Sequence, residues 1–315
     1  MEDDQTSLKT LHNTLSFGVL QIITEEYLGI KLDKKMIERE PCLSMFKGSD
    51  LNTDDGATLS LREFVNKSRE QISPEDLGGI CELLSGHQLA IVDDEIEFVN
   101  NIERRNAGRI YTPFDVTNHI CQNTLSPLVQ ALTVKEELFK LRILDPAVGS
   151  GAFLVQAFRV LVNLASERGW VLDASEKQRL IEEVLHGIDI DEFAANTSML
   201  VLWIEAKGDA VNLAPSISVG DTLVLGPQPV HSKWEKMFGI TMNRSGYDVV
   251  IGNPPYVQVK PDDYPEFTLS NARNLYALFV ELGLSVTNKS GIFSMIIPQS
   301  VMVSKNGSEV RKHLL

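Results

Sequence analysis

A short turn near the C-terminal end carries residue types suited to holding a planar amine. Asn253, Pro254, Pro255 and Tyr256 follow the apolar run 247–252, whose composition predicts a buried strand. The prolines stiffen the turn and keep its carbonyls out of a following helix. The amide oxygen of Asn253 and the carbonyl of Pro254 can therefore accept hydrogen bonds from one exocyclic NH2, while the Tyr256 ring stacks on the flat partner. The alternative is a rigid corner with Tyr256 packed in the core.

A glycine-containing turn follows an earlier apolar run, 141–144. It contains Asp145, Pro146, Gly149 and Gly151 and leads directly into a helical pattern. Glycines let a backbone approach a ligand closely, and a helix N-terminus offers N–H donors. The acid before the turn repels phosphate and suits an ammonium group, which favours a cofactor that carries an amino acid over a dinucleotide. A plain strand-to-helix turn is the alternative.

Two more acids stand at the ends of the next predicted strands. Asp189 follows Asp145 by more than the roughly 20 residues of the dinucleotide fingerprint, which we attribute to an extra helical segment over 174–184. A carboxylate at this place can bind both ribose hydroxyls of a nucleoside, and Asp221 can accept a hydrogen bond from an adenine amine. Each acid alone could be a helix cap or a loop residue. Caps do not explain three acids in order at successive strand ends, followed by the Asn253 turn.

Taken in this order, the motifs resemble the adenine-specific N6 DNA methyltransferases, particularly those of type I and single-chain type II (type IIG) restriction-modification enzymes. The resemblance covers residues 75–315 and includes the late segment 274–279. It implies that S-adenosylmethionine is the cofactor and that a flipped adenine in duplex DNA is the substrate. The cofactor-binding residues that it implies are Thr112 (in the Y-T-P element 111–113), Asp145, Pro146, Gly149, Gly151, Asp189 and Asp221. The catalytic residues that it implies are Asn253, Pro254, Pro255 and Tyr256.

The pattern of elements predicts an α/β fold with a doubly wound, mostly parallel sheet of the S-adenosylmethionine-dependent methyltransferase type, preceded by a mainly helical N-terminal domain. Apolar positions at helical spacing predominate over residues 1–106, which we expect to form the helical domain. Short apolar strands then alternate with helices over 107–315, the expected catalytic core. The strands predicted are 141–145, 186–190, 216–219, 247–251 and 291–297, and the long helices are 152–168 and 191–207.

Charge and length limit what the chain is expected to do with DNA. The net charge is −14, and neither residues 1–106 nor 107–315 are basic. Contacts with phosphate groups supply most of the non-specific affinity for nucleic acid. An acidic chain by itself is therefore not expected to bind DNA over a large surface. The family's sheet continues into a target-recognition part, whereas this sequence stops at Leu315. We therefore expect a C-terminally incomplete core that needs a specificity subunit or a C-terminal target-recognition part.

Composition argues against several other classes of protein. The start of the chain is acidic and no apolar stretch approaches the roughly 20 residues of a membrane span, so we expect a cytoplasmic protein without membrane contact. Cys42, Cys81 and Cys121 form no C-x-x-C pair, which predicts buried free thiols and neither a disulfide framework nor a zinc site. We expect no metal, and no nuclease motif occurs in residues 1–106.

Two other functions fit part of the pattern. The glutamine-N5 protein methyltransferases of release factors also use N-P-P-Y on a similar sheet, but the Y-T-P element and the late Arg311-x-x-Leu314-Leu315 segment favour DNA as the substrate. A non-catalytic, cofactor-binding remnant of a modification or phage-defence complex is the third interpretation. The intact Asn253 and Asp145 weigh against it, and the end at Leu315 weighs for it.

Overall fold

The computed structural model describes residues 20–21, 38, 87–92, 95–100, 112–206, 214–226, 246–305 and 307–315. In the N-terminal part, strands β1 (His87–Val92) and β2 (Glu95–Asn100) pair antiparallel. The sequence analysis did not predict this hairpin. Leu20, Gln21 and Glu38 are helical. The rest of the helical prediction for residues 1–106 lies outside the described residues.

The C-terminal part contains one five-stranded sheet. Its strands are β3 (Ile143–Asp145), β4 (Leu185–Asp189), β5 (Ser216–Val219), β6 (Tyr247–Gly252) and β7 (Thr287–Met295). They lie in the order β5-β4-β3-β6-β7, and each neighbouring pair is parallel. The chain thus turns from one side of β3 to the other between β5 and β6. In open α/β sheets, ligands bind at the carboxyl ends of the strands beside such a reversal.

Helices and short helical turns connect these strands. The α-helices are α1 (Phe114–Ala131), α2 (Ala152–Glu167), α3 (Ala174–Arg179), α4 (Glu192–Glu205), α5 (Leu275–Val286) and α6 (Gly307–Leu314). A π-helical turn, Leu180–Val184, continues α3 into β4, so the extra helical segment predicted over 174–184 is present. The 3-10 segments are Lys135–Lys140, Thr222–Leu225, Pro261–Asp263, Thr268–Ala272 and Gln299–Met302.

Neighbouring residues of the central strands face opposite sides of the sheet, as strand geometry requires. Ile143 and Val249 belong to the apolar cluster that also contains residues of α1, α2 and α4. Leu144 and Val250 belong to a second cluster, which contains Leu278 of α5. All four strand residues are fully buried. Helices therefore cover both faces, and the prediction of a doubly wound, mostly parallel sheet is confirmed.

The observed element bounds follow the prediction closely except at the last strand. β7 starts at Thr287, where Tyr247 and Thr287 pair before an irregularity, and regular pairing resumes between Val249 and Ile292. The prediction captured only the second part because Asn288 to Ser290 are polar. β7 lies at one edge of the sheet, as expected.

The segment that follows β6 is held beside the carboxyl ends of the strands by backbone and side-chain hydrogen bonds. Leu275 donates its N–H to the carbonyl of Val257 at 2.8 Å. The buried carboxylate of Glu281 on α5 accepts hydrogen bonds from the N–H groups of Thr268 at 3.0 Å and Leu269 at 2.7 Å. A charge-assisted bond of this kind is stronger than a neutral one. The fold thus fixes residues 257–274 against α5.

Candidate active site

A cavity of about 170 Å³ opens at the carboxyl ends of β3, β4, β5 and β6. Eight of the eleven site residues predicted from the sequence line it: Thr112, Asp145, Pro146, Gly149, Asp189, Asp221, Asn253 and Pro255. Gly151, Pro254 and Tyr256 are not among its lining residues. The motifs are therefore brought together although they lie up to 143 positions apart in sequence, between Thr112 and Pro255.

Asp145 ends β3 and is the most deeply buried acid of the cavity, with 1% of its surface exposed. Its Oδ1 atom accepts a hydrogen bond from the N–H of Ala147 at 3.0 Å. Burial raises the pKa of this carboxyl to about 8, with a further contribution from the negative charge of Asp189. A Cβ atom on Gly252 would lie 2.7 Å from the same oxygen, so a larger residue at the end of β6 would require the buried carboxyl to shift.

The glycine turn between β3 and α2 is shaped by backbone hydrogen bonds to β4. Val148 donates to the carbonyl of Ile188 at 2.9 Å, and Gly149 donates to Oδ2 of Asp189 at 2.8 Å. Gly149 and Gly151 have φ angles of 55° and 92°, a region that favours glycine. A Cβ atom on Gly151 would lie 2.6 Å from Oγ of Ser198, so Gly151 lets α2 start close to α4.

Asp189 at the end of β4 and Asp221 just after β5 both accept hydrogen bonds from nearby backbone N–H groups, and Asp221 caps the 3-10 turn Thr222–Leu225. Oδ1 of Asp189 accepts from the N–H of Asp191 at 2.8 Å, and Oδ1 of Asp221 accepts from Leu223 at 2.9 Å. Thr222 donates its hydroxyl to the carbonyl of Pro146 at 2.6 Å, which ties the β5 turn to the glycine turn. The helix-cap alternative is thus met by Asp221, whereas the cap of α4 is Asp191. Asp189 and Asp221 both line the cavity as well, which is compatible with these bonds because a carboxylate can accept several hydrogen bonds.

The Asn253 amide is held by a side chain of its own turn and by one from the segment before α1. Its Nδ2 atom donates to Oγ1 of Thr112 at 3.1 Å. Tyr256 donates its hydroxyl to Oδ1 of Asn253 at 2.6 Å and lies 3.1 Å from the carbonyl of Ile296. The ring of Tyr256 meets that of Tyr276 edge to face, with centroids 6.3 Å apart. Tyr256 is therefore partly packed into the protein, as the rigid-corner alternative supposes, and it also contacts the Asn253 amide.

Apolar and aromatic residues on the cavity wall were not identified from sequence: Phe153, Ile190, Leu223, Tyr264, Leu275 and Phe279. Leu275 and Phe279 are four positions apart on α5, and that spacing inside the segment 274–279 could have identified them. Tyr264 lies in a segment without periodicity, and no pattern predicts it. Burial raises its pKa, with Asp221 adding to the rise, so Tyr264 lies near that acid. The wall thus combines carboxylates with flat apolar faces.

This set of groups fits S-adenosylmethionine, which carries an ammonium, two ribose hydroxyls and an adenine ring. Asp145 is a buried carboxyl whose pKa is raised by burial and by Asp189, so a cationic partner would stabilise its ionised form. The carboxylates of Asp189 and Asp221 can accept hydrogen bonds from hydroxyl or amino groups. The apolar wall suits a flat ring.

Among the described residues, no group of three or more metal-ligating side chains could hold a metal ion. Cys121 is buried and free, as predicted, and burial raises the pKa of its thiol to about 12, with a smaller contribution from Asp145. Cys42, Cys81 and Tyr111 of the Y-T-P element lie outside the described residues. In the part of the chain that the structure describes, no helix is both long and apolar enough to span a membrane.

The sheet, its strand order and the position of the cavity define the fold of the S-adenosylmethionine-dependent methyltransferases. Solved structures with this architecture include the type IIG restriction endonuclease BpuSI, at a TM-score of 0.61 and 16% identity over 98% of this chain and 34% of that one. The type IIL restriction-modification enzyme MmeI in complex with DNA gives a TM-score of 0.60 and 18% identity over 81% of this chain and 38% of that one. At such identities the likeness concerns the fold alone.

Residues 183–315 match the model of the family described as the Eco57I restriction-modification methylase. The adenine-specific methyltransferase PglX of Streptomyces coelicolor is 29% identical in an alignment of 197 residues that covers 53% of this chain and 16% of PglX. The type II restriction enzyme and methyltransferase RM.Eco57I of Escherichia coli is 23% identical in an alignment of 284 residues that covers 77% of this chain and 28% of that protein. The resemblance predicted from the motifs is confirmed. The chain spans less than a third of the length of these curated relatives.

Proposed function

We propose that this chain transfers a methyl group from S-adenosylmethionine to N6 of adenine in DNA, within a restriction-modification or phage-defence system. The observation that carries the proposal is the cavity wall itself, on which the Asn253 amide and the carboxyls of Asp145, Asp189 and Asp221 lie together. We assign residues 107–315 to the catalytic core and 1–106 to an N-terminal domain. The names of the relatives, which are adenine-specific methyltransferases and restriction-modification enzymes, agree with this function.

The cofactor would be held by the residues at the strand ends. Asp145 would bind the ammonium of its methionine part and Thr112 would contact the same part. Asp189 would accept hydrogen bonds from the ribose hydroxyls and Asp221 from the adenine amine, while Pro146, Gly149 and Gly151 shape the turn that encloses the ligand. S-adenosylmethionine supplies an electrophilic methyl group on a positively charged sulfur.

Asn253 and Pro254 would act on the target amine. The lone pair of an adenine amine is delocalised into the ring, which makes the nitrogen a poor nucleophile. If Oδ1 of Asn253 and the carbonyl of Pro254 accept its two hydrogens, the nitrogen is drawn towards tetrahedral geometry and its lone pair becomes available. An amide oxygen has two lone pairs, so Asn253 can accept from the amine as well as from Tyr256. Rate enhancement then comes from placing and polarising the reactants, without a covalent enzyme intermediate.

Pro255 and Tyr256 would hold the base outside the duplex. Extruding a base costs a few kcal/mol, which stacking and edge hydrogen bonds offset. Pro255 lines the cavity and stiffens the turn. The ring of Tyr256 would stack on the flipped adenine. Because the chain is acidic, we propose that a specificity subunit or a C-terminal target-recognition part supplies most of the affinity for DNA.

Tritiated-methyl transfer to unmethylated DNA, with and without the products of adjacent genes, tests this function. We expect labelled DNA from the wild type, and from Asn253→Ala we expect no transfer but nearly unchanged cofactor binding. Asp262→Asn, a change of an exposed side chain, serves as the control and should transfer normally. Unchanged methyl transfer by Asn253→Ala would contradict the proposed mechanism. Labelled protein would favour a glutamine methyltransferase, and cofactor binding without transfer would favour a non-catalytic remnant.

A further inference from the structure

The Thr112 hydroxyl bridges the cavity and the Asn253 amide. Thr112 is buried, lines the cavity and accepts a hydrogen bond from Nδ2 of Asn253 at 3.1 Å. Asn253 follows β6, whereas Thr112 precedes α1, so the contact joins two segments that are 141 residues apart. The other end of the amide contacts the hydroxyl of Tyr256 at 2.6 Å.

The direction of these hydrogen bonds decides which end of the Asn253 amide is available as an acceptor. A hydroxyl can donate one proton and can also accept, so Thr112 and Tyr256 could each serve either end of the amide. Tyr256 also lies 3.1 Å from the carbonyl of Ile296, to which it could donate if the amide turned over. The contacts with Thr112 and Tyr256 can therefore be made in two arrangements, and only one directs Oδ1 towards Tyr256.

We propose that Thr112 is a positioning residue through which a bound cofactor fixes the orientation of the Asn253 amide. Thr112 has a single hydroxyl proton. When a ligand acceptor in the cavity, such as the carboxylate of a methionine moiety, accepts a hydrogen bond from this hydroxyl, Thr112 can only accept from Asn253. Nδ2 must face Thr112, and Oδ1 must face the opposite side, where it can accept from an amine. The inference rests on the proposed function.

The first test compares the full chain with its Thr112→Val and Thr112→Ser variants, each together with the adjacent gene products used in the transfer assay. Valine keeps the shape without the hydroxyl, whereas serine keeps the hydroxyl. With the wild type and Thr112→Ser, we expect S-adenosylhomocysteine to tighten binding to adenine-containing DNA. We also expect both proteins to transfer the methyl group of S-adenosylmethionine. With Thr112→Val, we expect about a tenfold loss of kcat, the effect of one hydrogen bond of about 1.4 kcal/mol, together with loss of that coupling. A Thr112→Val variant with wild-type kcat and coupling, or a Thr112→Ser variant as impaired as Thr112→Val, would overturn the inference.

The second test needs no DNA and no turnover. In protein with ¹⁵N-labelled asparagine, the side-chain amide signal of Asn253 is assigned by its absence in Asn253→Asp. We expect S-adenosylhomocysteine to slow exchange of these amide hydrogens with solvent in the wild type and in Thr112→Ser but not in Thr112→Val. Equal slowing in all three would refute the role of Thr112. If the wild type transfers no methyl group to DNA, the proposed function fails, and the amide measurement still decides this inference.

Discussion

The hydroxyl of Tyr256 donates a hydrogen bond to Oδ1 of Asn253 over 2.6 Å. Two residues of the same turn are thereby joined through the atom that is proposed to accept the target amine. The same hydroxyl lies 3.1 Å from the carbonyl of Ile296, just after β7. The tyrosine therefore does more than offer a stacking face, because its hydroxyl connects the turn to the edge of the sheet.

Tyr256→Phe separates these two roles of the tyrosine. The ring is retained and the hydrogen bond to Asn253 is lost, which corresponds to about 1 kcal/mol and to a several-fold fall in kcat. Tyr256→Ala removes the stacking surface as well and should lower kcat further. The additional loss of stabilisation is about 1–3 kcal/mol, by analogy with base stacking on aromatic side chains. Single-turnover transfer rates measure both effects, with cofactor affinity as the control. Equal rates for the wild type and Tyr256→Phe would show that the hydroxyl has no part in transfer.

The raised pKa of Asp145 predicts that a proton is released when the cofactor binds. Burial and Asp189 raise the pKa of this carboxyl to about 8 in the free protein, so at pH 7 it is mostly protonated. An ammonium beside it favours the ionised form, and the pKa falls on binding. We therefore expect release of most of a proton per cofactor at pH 7, and an affinity that rises close to tenfold between pH 6 and pH 7. Calorimetry in buffers of different ionisation enthalpy counts the protons, and uptake or no exchange would contradict the role of Asp145.

The raised pKa of the same carboxyl also predicts that the free protein loses stability as the pH rises. An unfolded aspartic acid has a pKa of about 3.9, whereas the folded pKa of Asp145 is about 8, so the folded state binds more protons between these values. Its contribution to the free energy of unfolding falls from about pH 4 to pH 8 and is constant above. Asp145→Asn should remove this loss and give a melting temperature that exceeds that of the wild type by an increasing margin up to pH 8.

The control for the Asp145 prediction is Asp262→Asn, which makes the same replacement of a carboxyl by an amide at an exposed position. Thermal unfolding of the three proteins between pH 5 and pH 9, without ligand, makes the comparison. A margin for Asp145→Asn that shrinks with rising pH would reverse the sign and refute the prediction. The gain in stability should come with a loss of cofactor affinity, since the Asp145 carboxyl is proposed to bind the ammonium of the cofactor.

The sequence could predict the strands and most of the cavity wall because parallel strands bring their carboxyl ends together. Asp145 and Asp189 end β3 and β4, and Asp221 follows the end of β5 by two residues, and that regularity allowed them to be assigned to one edge. Tyr264 could not be predicted, because its place on the wall depends on how Glu281 holds the segment 257–274. Such contacts between distant loops leave no periodic pattern in a sequence.

Gly151 was predicted as a cofactor residue, whereas its surroundings indicate a role in packing. Gly151 and Gly169 both flank a helix and both have a positive φ, but only Gly151 is crowded. Comparing an alanine substitution at each therefore distinguishes the cost of backbone strain from the cost of steric overlap. Gly169, after α2, has φ 75° and nothing within 4 Å of a Cβ position, whereas Gly151 has φ 92° and Oγ of Ser198 at 2.6 Å. Gly169→Ala should lower the free energy of unfolding by about 1–2 kcal/mol, the cost of a left-handed residue.

Gly151→Ala should carry this cost together with that of overpacking against α4, which is about 1–3 kcal/mol more. Urea unfolding of the two variants gives the difference directly. Because Gly151 starts the helix that follows the glycine turn, we also expect weaker binding of S-adenosylhomocysteine by Gly151→Ala and unchanged binding by Gly169→Ala. Equal losses of stability would mean that α2 and α4 can move apart at no cost, contrary to the close contact between Gly151 and Ser198.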